Sequence, residues 1–257
     1  MRRALLLAGA AVLLLSGNSY AQLTATIAGG PHDLSSGSGV RNSNTTINGQ
    51  TCVFCHVPHG GSTNQPLWNR SNPTGASYQP YTSSTSKTVA TGAAIASGIS
   101  GACLSCHDGT IAMDVVTNVN GIAFGTSPLG GTVAFTKQAS AKATYANGTS
   151  TGTSDVMSGG LPFLGSDLRN DHPVAVAYQT ALTADPSHYT AITQAGARIY
   201  VNGAAGQLPL YGTSSATATV ECASCHDAHN NSLNGTNGGF LRVANTGSQM
   251  CKTCHNK

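Results

Sequence analysis

Cys52-Val53-Phe54-Cys55-His56-Val57-Pro58-His59 recurs far along the chain as Cys222-Ala223-Ser224-Cys225-His226-Asp227-Ala228-His229. Two shorter copies stand at Cys103-Leu104-Ser105-Cys106-His107 and Cys251-Lys252-Thr253-Cys254-His255. In chain order these are motifs I (Cys52), II (Cys103), III (Cys222) and IV (Cys251), and together they use all eight cysteines. Two thiols separated by two residues match the two vinyl groups of a porphyrin, to which they add covalently, and the His that follows sits under the iron as its proximal ligand. The pattern therefore predicts four covalently attached haem c groups, held by Cys52, Cys55, Cys103, Cys106, Cys222, Cys225, Cys251 and Cys254. His56, His107, His226 and His255 are the proximal iron ligands. Disulfides, a redox-active thiol pair or a zinc site would each explain paired cysteines, but none requires a His after every pair.

Nine His are present, so five remain: His32, His59, His172, His188 and His229. Four low-spin irons need four distal ligands, which points to bis-His ligation by His32, His59, His172 and His229. His59 and His229 each follow a proximal His by three residues and lie on its side of the haem, so each is expected to serve a different iron. His172, in Asn170-Asp171-His172-Pro173, sits on a stiffened turn. His188, in Asp185-Pro186-Ser187-His188, reads as an ordinary exposed residue. Met113 and Met157 are the alternative ligands, whereas Met250 abuts its own motif.

Arg2 and Arg3, the apolar run Ala4 to Leu15 and the small residues up to Ala21 form a secretory signal, with cleavage expected after Ala21. The run is too short to span a bilayer comfortably, an uncleaved membrane anchor being the competing reading, and no other segment of the mature chain is long and apolar enough to cross. Without Arg2 and Arg3 the 12 Lys and Arg become ten, against nine Asp and Glu. No basic stripe for nucleic acid follows from that balance. Charged residues are only 8 % and aromatics 5 %, so few large side chains are available for a core. Haem faces, with Phe54, Trp68, Phe163 and Phe240, are expected to supply the apolar interior.

The expected fold is a mostly irregular, coil-rich multihaem cytochrome, with a few short α-helices and one β-hairpin wrapped around a stack of four haems. Residues 1–21 are the signal, 22–120 an N-terminal two-haem module, 121–169 a polar connector and 170–257 a C-terminal two-haem module. Both modules repeat a pattern: C-x-x-C-H-x-x-H, then Leu67-Trp68-Asn69-Arg70-Ser71-Asn72 or Phe240-Leu241-Arg242-Val243-Ala244-Asn245, then a second C-x-x-C-H. Residues 73–101 and 121–160 read as long polar loops. A longer helix is predicted over Tyr189 to Val201, and a hairpin joins Leu208–Tyr211 to Ala216–Glu221 around Gly212 and Ser214. Asn44-Thr45-Thr46 fits an N-glycosylation pattern.

Pro31-His32-Asp33-Leu34, Cys52 to His59, Pro66 to Arg70, Cys103 to Thr110, Asn170 to Val174, Val220 to His229 and Phe240 to His255 together resemble the extracellular multihaem cytochromes of metal-reducing bacteria, most of all the tetrahaem members that polymerise into nanowires. The resemblance implies closely stacked bis-His haems, little secondary structure and a homopolymer with a continuous haem chain. It also implies that one iron takes a ligand from the adjacent subunit, and His32, close to the mature N-terminus, is the residue expected to supply it. Upstream periplasmic or outer-membrane cytochromes would be the electron donors, and extracellular acceptors the destination. The expected location is secreted, extracellular or cell-surface, with the periplasm as the alternative.

Three functions compete. Saturated irons leave only outer-sphere electron transfer, which fits a cell-surface wire and no enzymatic activity. A soluble periplasmic shuttle would carry the same haems with all ligands within one chain. A multihaem reductase needs an open iron, which the His count disfavours.

Overall fold

The computed structural model describes residues 27, 30–34, 42–43, 51–61, 67–111, 115–117, 131–132, 135–136, 157, 162–203, 206–230 and 239–256. The signal segment 1–21, Asn44-Thr45-Thr46, Met113 and most of the connector lie outside the described residues.

In chain order the elements are β1 (Asn42–Ser43), β2 (Gln79–Pro80), α1 (Gly92–Ser97), α2 (Ile99–His107), β3 (Val115–Val116), β4 (Gly131–Thr132), β5 (Phe135–Thr136), β6 (Asp167–Leu168), β7 (Val176–Ala177), α3 (Tyr178–Ala184), β8 (Ile192–Ala195), β9 (Arg198–Gly203), β10 (Gly206–Leu210), β11 (Thr219–Val220), α4 (Cys222–Cys225) and α5 (Gln249–Cys254). Short 3-10 turns cover Gly75–Ser77 and Thr246–Ser248. Among the described residues, no helix is long and apolar enough to cross a membrane.

Two expectations from the sequence do not hold. Residues 73–101 are not simply loop. Thr91 caps α1 by accepting a 3.1 Å bond from Ala94 N, and α2 begins directly after Gly98. Gly101 allows the two helices to meet, since a Cβ there would lie 2.1 Å from the Ala96 carbonyl oxygen. Nor is Tyr189 to Val201 a helix. It forms β8 and most of β9, joined by a two-residue turn in which Gly196 takes φ +61°. Along β9, Ile199 and Val201 are buried while Arg198 and Asn202 are exposed, a period of two that a sheet accommodates and a helix does not.

The expected hairpin also differs. β10 pairs antiparallel with β9, giving the order β10-β9-β8, and only an isolated Tyr211–Thr219 bridge joins the segments predicted to form it. β11 pairs instead with β7.

Among the described residues, burial is organised around two clusters. Tyr78, Ile95, Ala96 and Leu104 pack with Leu168, Ala175 and Val176, so residues of both haem modules share one core. Tyr178, Ile199, Val201, Leu210 and Ala218 form the second, beneath the three-stranded sheet. α5 crosses the end of that sheet at Gly203, where a Cβ would approach the Cα and carbonyl oxygen of Thr253 to 2.5 Å. Of the four rings expected inside, Phe54 is buried at 1 % exposure, Trp68 and Phe240 are half-buried, and Phe163 is exposed. Leu67, Phe163 and Leu164, the exposed apolar residues beside motifs I and II, are surfaces that a porphyrin face can cover.

Candidate haem-binding site

Each motif places its cysteines and His by a local turn. In motifs I, III and IV the His amide bonds back to the carbonyl of the first Cys, at 2.8, 3.0 and 2.9 Å. In motif II the same residues form the last turn of α2. Residues one turn apart on a helix face the same way, so both thiols and the imidazole address one side.

A second strand of chain clamps three of the motifs in the same manner. In motif I, Val57 N donates to Leu67 O and Asn69 N to Cys55 O, both at 2.8 Å, with Trp68 opposite His56. In motif III, Asp227 N donates to Phe240 O and Arg242 N to Cys225 O, again both at 2.8 Å, with Leu241 opposite His226. Leu67 and Phe240 share a left-handed backbone, at φ 58° and 59°. Asn69 Nδ2 donates to Val53 O at 2.7 Å, and Arg242 Nε donates to the equivalent Ala223 O at 2.7 Å. The repeat read from sequence is thus a structural repeat down to single hydrogen bonds. Motif IV is clamped by His188 to Thr190, through Thr190 N to Cys254 O and Asn256 N to His188 O, both 3.0 Å. In motif II, the His107 carbonyl accepts from Leu164 N and Gly165 N instead.

The imidazoles come together in pairs. The His56 and His229 ring centroids are 6.0 Å apart, His32 and His107 6.1 Å, and His172 and His255 6.4 Å. A metal–imidazole bond is about 2 Å and the ring centre lies about 1.2 Å beyond its nitrogen, so two imidazoles on opposite faces of one metal have centroids roughly 6 to 6.5 Å apart. The three separations fit that requirement. His32, expected from the sequence to reach a neighbouring subunit, faces His107 of its own chain and stacks on Phe240 at 4.5 Å.

The tautomers also fit. Nδ1 donates to a backbone carbonyl in His107 (Pro162, 2.7 Å), His172 (Pro173, 2.9 Å), His32 (Ala228, 3.3 Å) and His226 (Gly239). With its proton committed there, Nε2 keeps its lone pair for a metal. Burial, reinforced by His107, lowers His32 to about 4, and burial also lowers His107, so both rings are neutral at pH 7, the ligating form. His188 is different: it is exposed, with Nδ1 2.7 Å from Asp185. Met157 is buried, with its carbonyl close to Gly109.

None of the eight thiols forms a disulfide. Burial pushes Cys55 and Cys254 up to about 12 and raises Cys225 as well, the reverse of what a thiol–disulfide catalyst requires. The Cys103 thiol donates to Cys222 across two motifs, which raises the first and lowers the second. Motifs II and III therefore meet at their cysteines.

Several residues without a motif of their own hold this arrangement. Tyr178 OH, in the second core cluster, lies 2.8 Å from Thr190 O and 3.0 Å from Cys254 O, binding the clamp to motif IV. Tyr78 OH donates at 2.6 Å to Asp108, next to His107. Arg70 is fully buried and donates to Ser105 O of motif II at 3.1 Å. Glu221, immediately before Cys222, is 3 % exposed and reaches α2. Its place before the motif is visible in sequence, but its contacts with residues some 120 positions earlier are not.

No curated protein matches the chain. Residues 215–257, which contain motifs III and IV, match the family model of the doubled CXXCH motif. That match agrees with the geometry of the thiols and imidazoles: residues 215–257 carry the doubled attachment motif of covalently bound c-type haem.

Proposed function

We propose that the chain is an exported tetrahaem electron conduit whose copies polymerise into an extracellular filament, carrying respiratory electrons from upstream cytochromes to external acceptors. The observation that carries the bis-His reading is the set of three imidazole pairs at iron-bridging separation. In this reading His56 and His229 hold the iron of motif I, His107 and His32 that of motif II, and His255 and His172 that of motif IV. His229, three residues after His226, turns to motif I. By the repeat, His59, three residues after His56, belongs to the iron of motif III with His226, in the same chain or the next copy.

When bound, each haem supplies a one-electron ferric/ferrous couple. The chain's own residues fix its environment. Backbone carbonyls orient the imidazoles through Nδ1, and Leu67, Phe163 and Phe240 offer apolar cover. Arg198 lines an open cavity of about 440 Å³ beside motif III and would offer a cation to a propionate, whereas Arg242 on the same wall is paired with Asp227. Ligation of all four irons by these His pairs would leave no position for substrate, and so no enzymatic turnover.

The filament is supported by the resemblance and by the sparse charge of the chain, which suits packing against like molecules. A monomeric periplasmic shuttle is the second reading, and the His32–His107 contact within one chain favours it. Haem quantitation and electron paramagnetic resonance of the purified protein test the core of the proposal: four haems, all low-spin and bis-His, with no carbon monoxide binding after reduction. Fewer haems, or an iron that binds carbon monoxide, would sink it and revive a reductase. Cryo-electron microscopy of protein shed into culture medium then separates filament from shuttle.

A further inference from the structure

Glu221 occupies an unusual place. It is the N-cap residue of α4, where its side chain accepts from the Ser224 amide while the Ser224 hydroxyl accepts from the Glu221 amide at 3.0 Å. The same carboxylate reaches the start of α2, a helix with no side-chain cap of its own. There Oε2 accepts from Ser100 N at 3.1 Å and from Ser100 Oγ at 2.5 Å. Oε1 accepts from Thr219 Oγ1 at 2.7 Å. The Ser100 hydroxyl also accepts from Cys222 N at 3.1 Å. Two helix N-termini, each leading into a haem-attachment motif, thus converge on one buried carboxylate.

The two motifs are also held together, because Ser100 at the start of α2 bonds both the Glu221 carboxylate and the Cys222 amide. Cys103 is three residues beyond Ser100, and Cys222 adjoins Glu221. The carboxylate therefore lies where the attachment edges of haems II and III meet. An ionised carboxyl is acceptor-only, and all four contacts donate toward it, so its charge is held in place. At 3 % exposure that charge is poorly screened by water. A fixed negative charge favours ferric over ferrous iron, and burial and hydrogen bonding are among the protein's means of setting a haem potential.

We infer that Glu221 is a tuning residue that lowers the reduction potentials of the two neighbouring haems II and III together. The inference rests on the four-haem reading proposed for the chain. Its chemistry is electrostatic: no bond forms or breaks, and one electron passes between the two irons.

The experiment compares Glu221→Gln and Glu221→Asp in the full haem-loaded protein, with each haem's potential followed by NMR of its methyl signals during a redox titration. Gln keeps the length and removes the charge. Asp keeps the charge and shortens the reach. The expected result is that Gln raises the potentials of haems II and III relative to I and IV. A tenfold shift of electron occupancy toward haems II and III corresponds to about 59 mV. Asp should lower the melting temperature yet leave these potentials close to those of the parent protein. Equal shifts in both variants, shifts spread over all four haems, or no shift with Gln would each overturn the inference. Haem content and low-spin spectra of the parent protein are measured first, so a failure of the four-haem reading is distinguished from a failure of the assignment to Glu221.

Discussion

Gly203→Ala tests the link between the sheet and motif IV. The added Cβ would stand 2.5 Å from both Cα and O of Thr253 and 2.8 Å from its carbonyl carbon, against an ordinary contact of 3.4 to 4 Å. These are backbone atoms of α5, so relief requires the helix to move by about 0.9 Å rather than a side chain to rotate. In the opposite direction, replacing Gly by Ala in a compatible strand conformation stabilises by about 0.4 to 1 kcal/mol through the unfolded chain. Overpacking costs about 1 to 3 kcal/mol and therefore wins, for a net loss of roughly 1 to 2 kcal/mol. In a chain of this size that lowers the melting temperature by roughly 2 to 8 °C. The same displacement carries Cys251, Cys254 and His255, so the electron paramagnetic resonance signal of haem IV should broaden or shift while the other three hold. Gly196→Ala is the comparison: nothing lies within 4 Å of its added Cβ, but its φ of +61° strains any L side chain. That variant should lose stability without touching haem IV. An unchanged melting temperature and haem IV signal in Gly203→Ala would refute the packing of α5 on β9.

Other outcomes follow from single residues. Ile199→Ala, at 4 % exposure in the second core cluster, should cost about 2 to 4 kcal/mol by chemical denaturation. Tyr178→Phe removes the hydroxyl between Thr190 O and Cys254 O and should cost about 1 to 2 kcal/mol, with the motif IV amides exchanging hydrogen faster. The side-chain and backbone bonds from Arg169 hold the Asp167 carboxyl down at about 2, below its ordinary 3.8. The pair's contribution is therefore present above the unfolded value and fades as pH falls from 3.8 through 2, and Arg169→Gln should return the NMR titration of Asp167 toward 3.8. Replacing Cys222 and Cys225 together by Ala should remove one haem equivalent, measured by pyridine haemochrome absorbance, because both thiols serve one attachment site.

How much of this is legible in the sequence differs from residue to residue. The attachment motifs are local: two thiols and an imidazole within five residues need only one helical turn to face the same way, so Cys52 to His56 and its three counterparts stand out as one pattern from spacing alone. The repeat is legible too: aligning Leu67–Asn72 with Phe240–Asn245 brings Leu67 onto Phe240, which share a left-handed backbone, and aligning the attachment motifs brings Val53 onto Ala223, whose carbonyls accept equivalent side-chain bonds. Tyr189 to Val201 reads as helix although Arg198 to Asn202 alternates, because Gly196 and the pairing with β10 supply the deciding information. The partner of each imidazole is not legible. His56 meets His229, and His32 meets His107, only through packing between segments far apart in sequence, and no periodicity encodes that. The same holds for Glu221, whose neighbour Cys222 is covalent but whose charge is fixed by Ser100 from α2. Covalent attachment is written in spacing, which the chain carries along its length; axial pairing and the field around each site depend on distances across the fold, which only the packed chain sets.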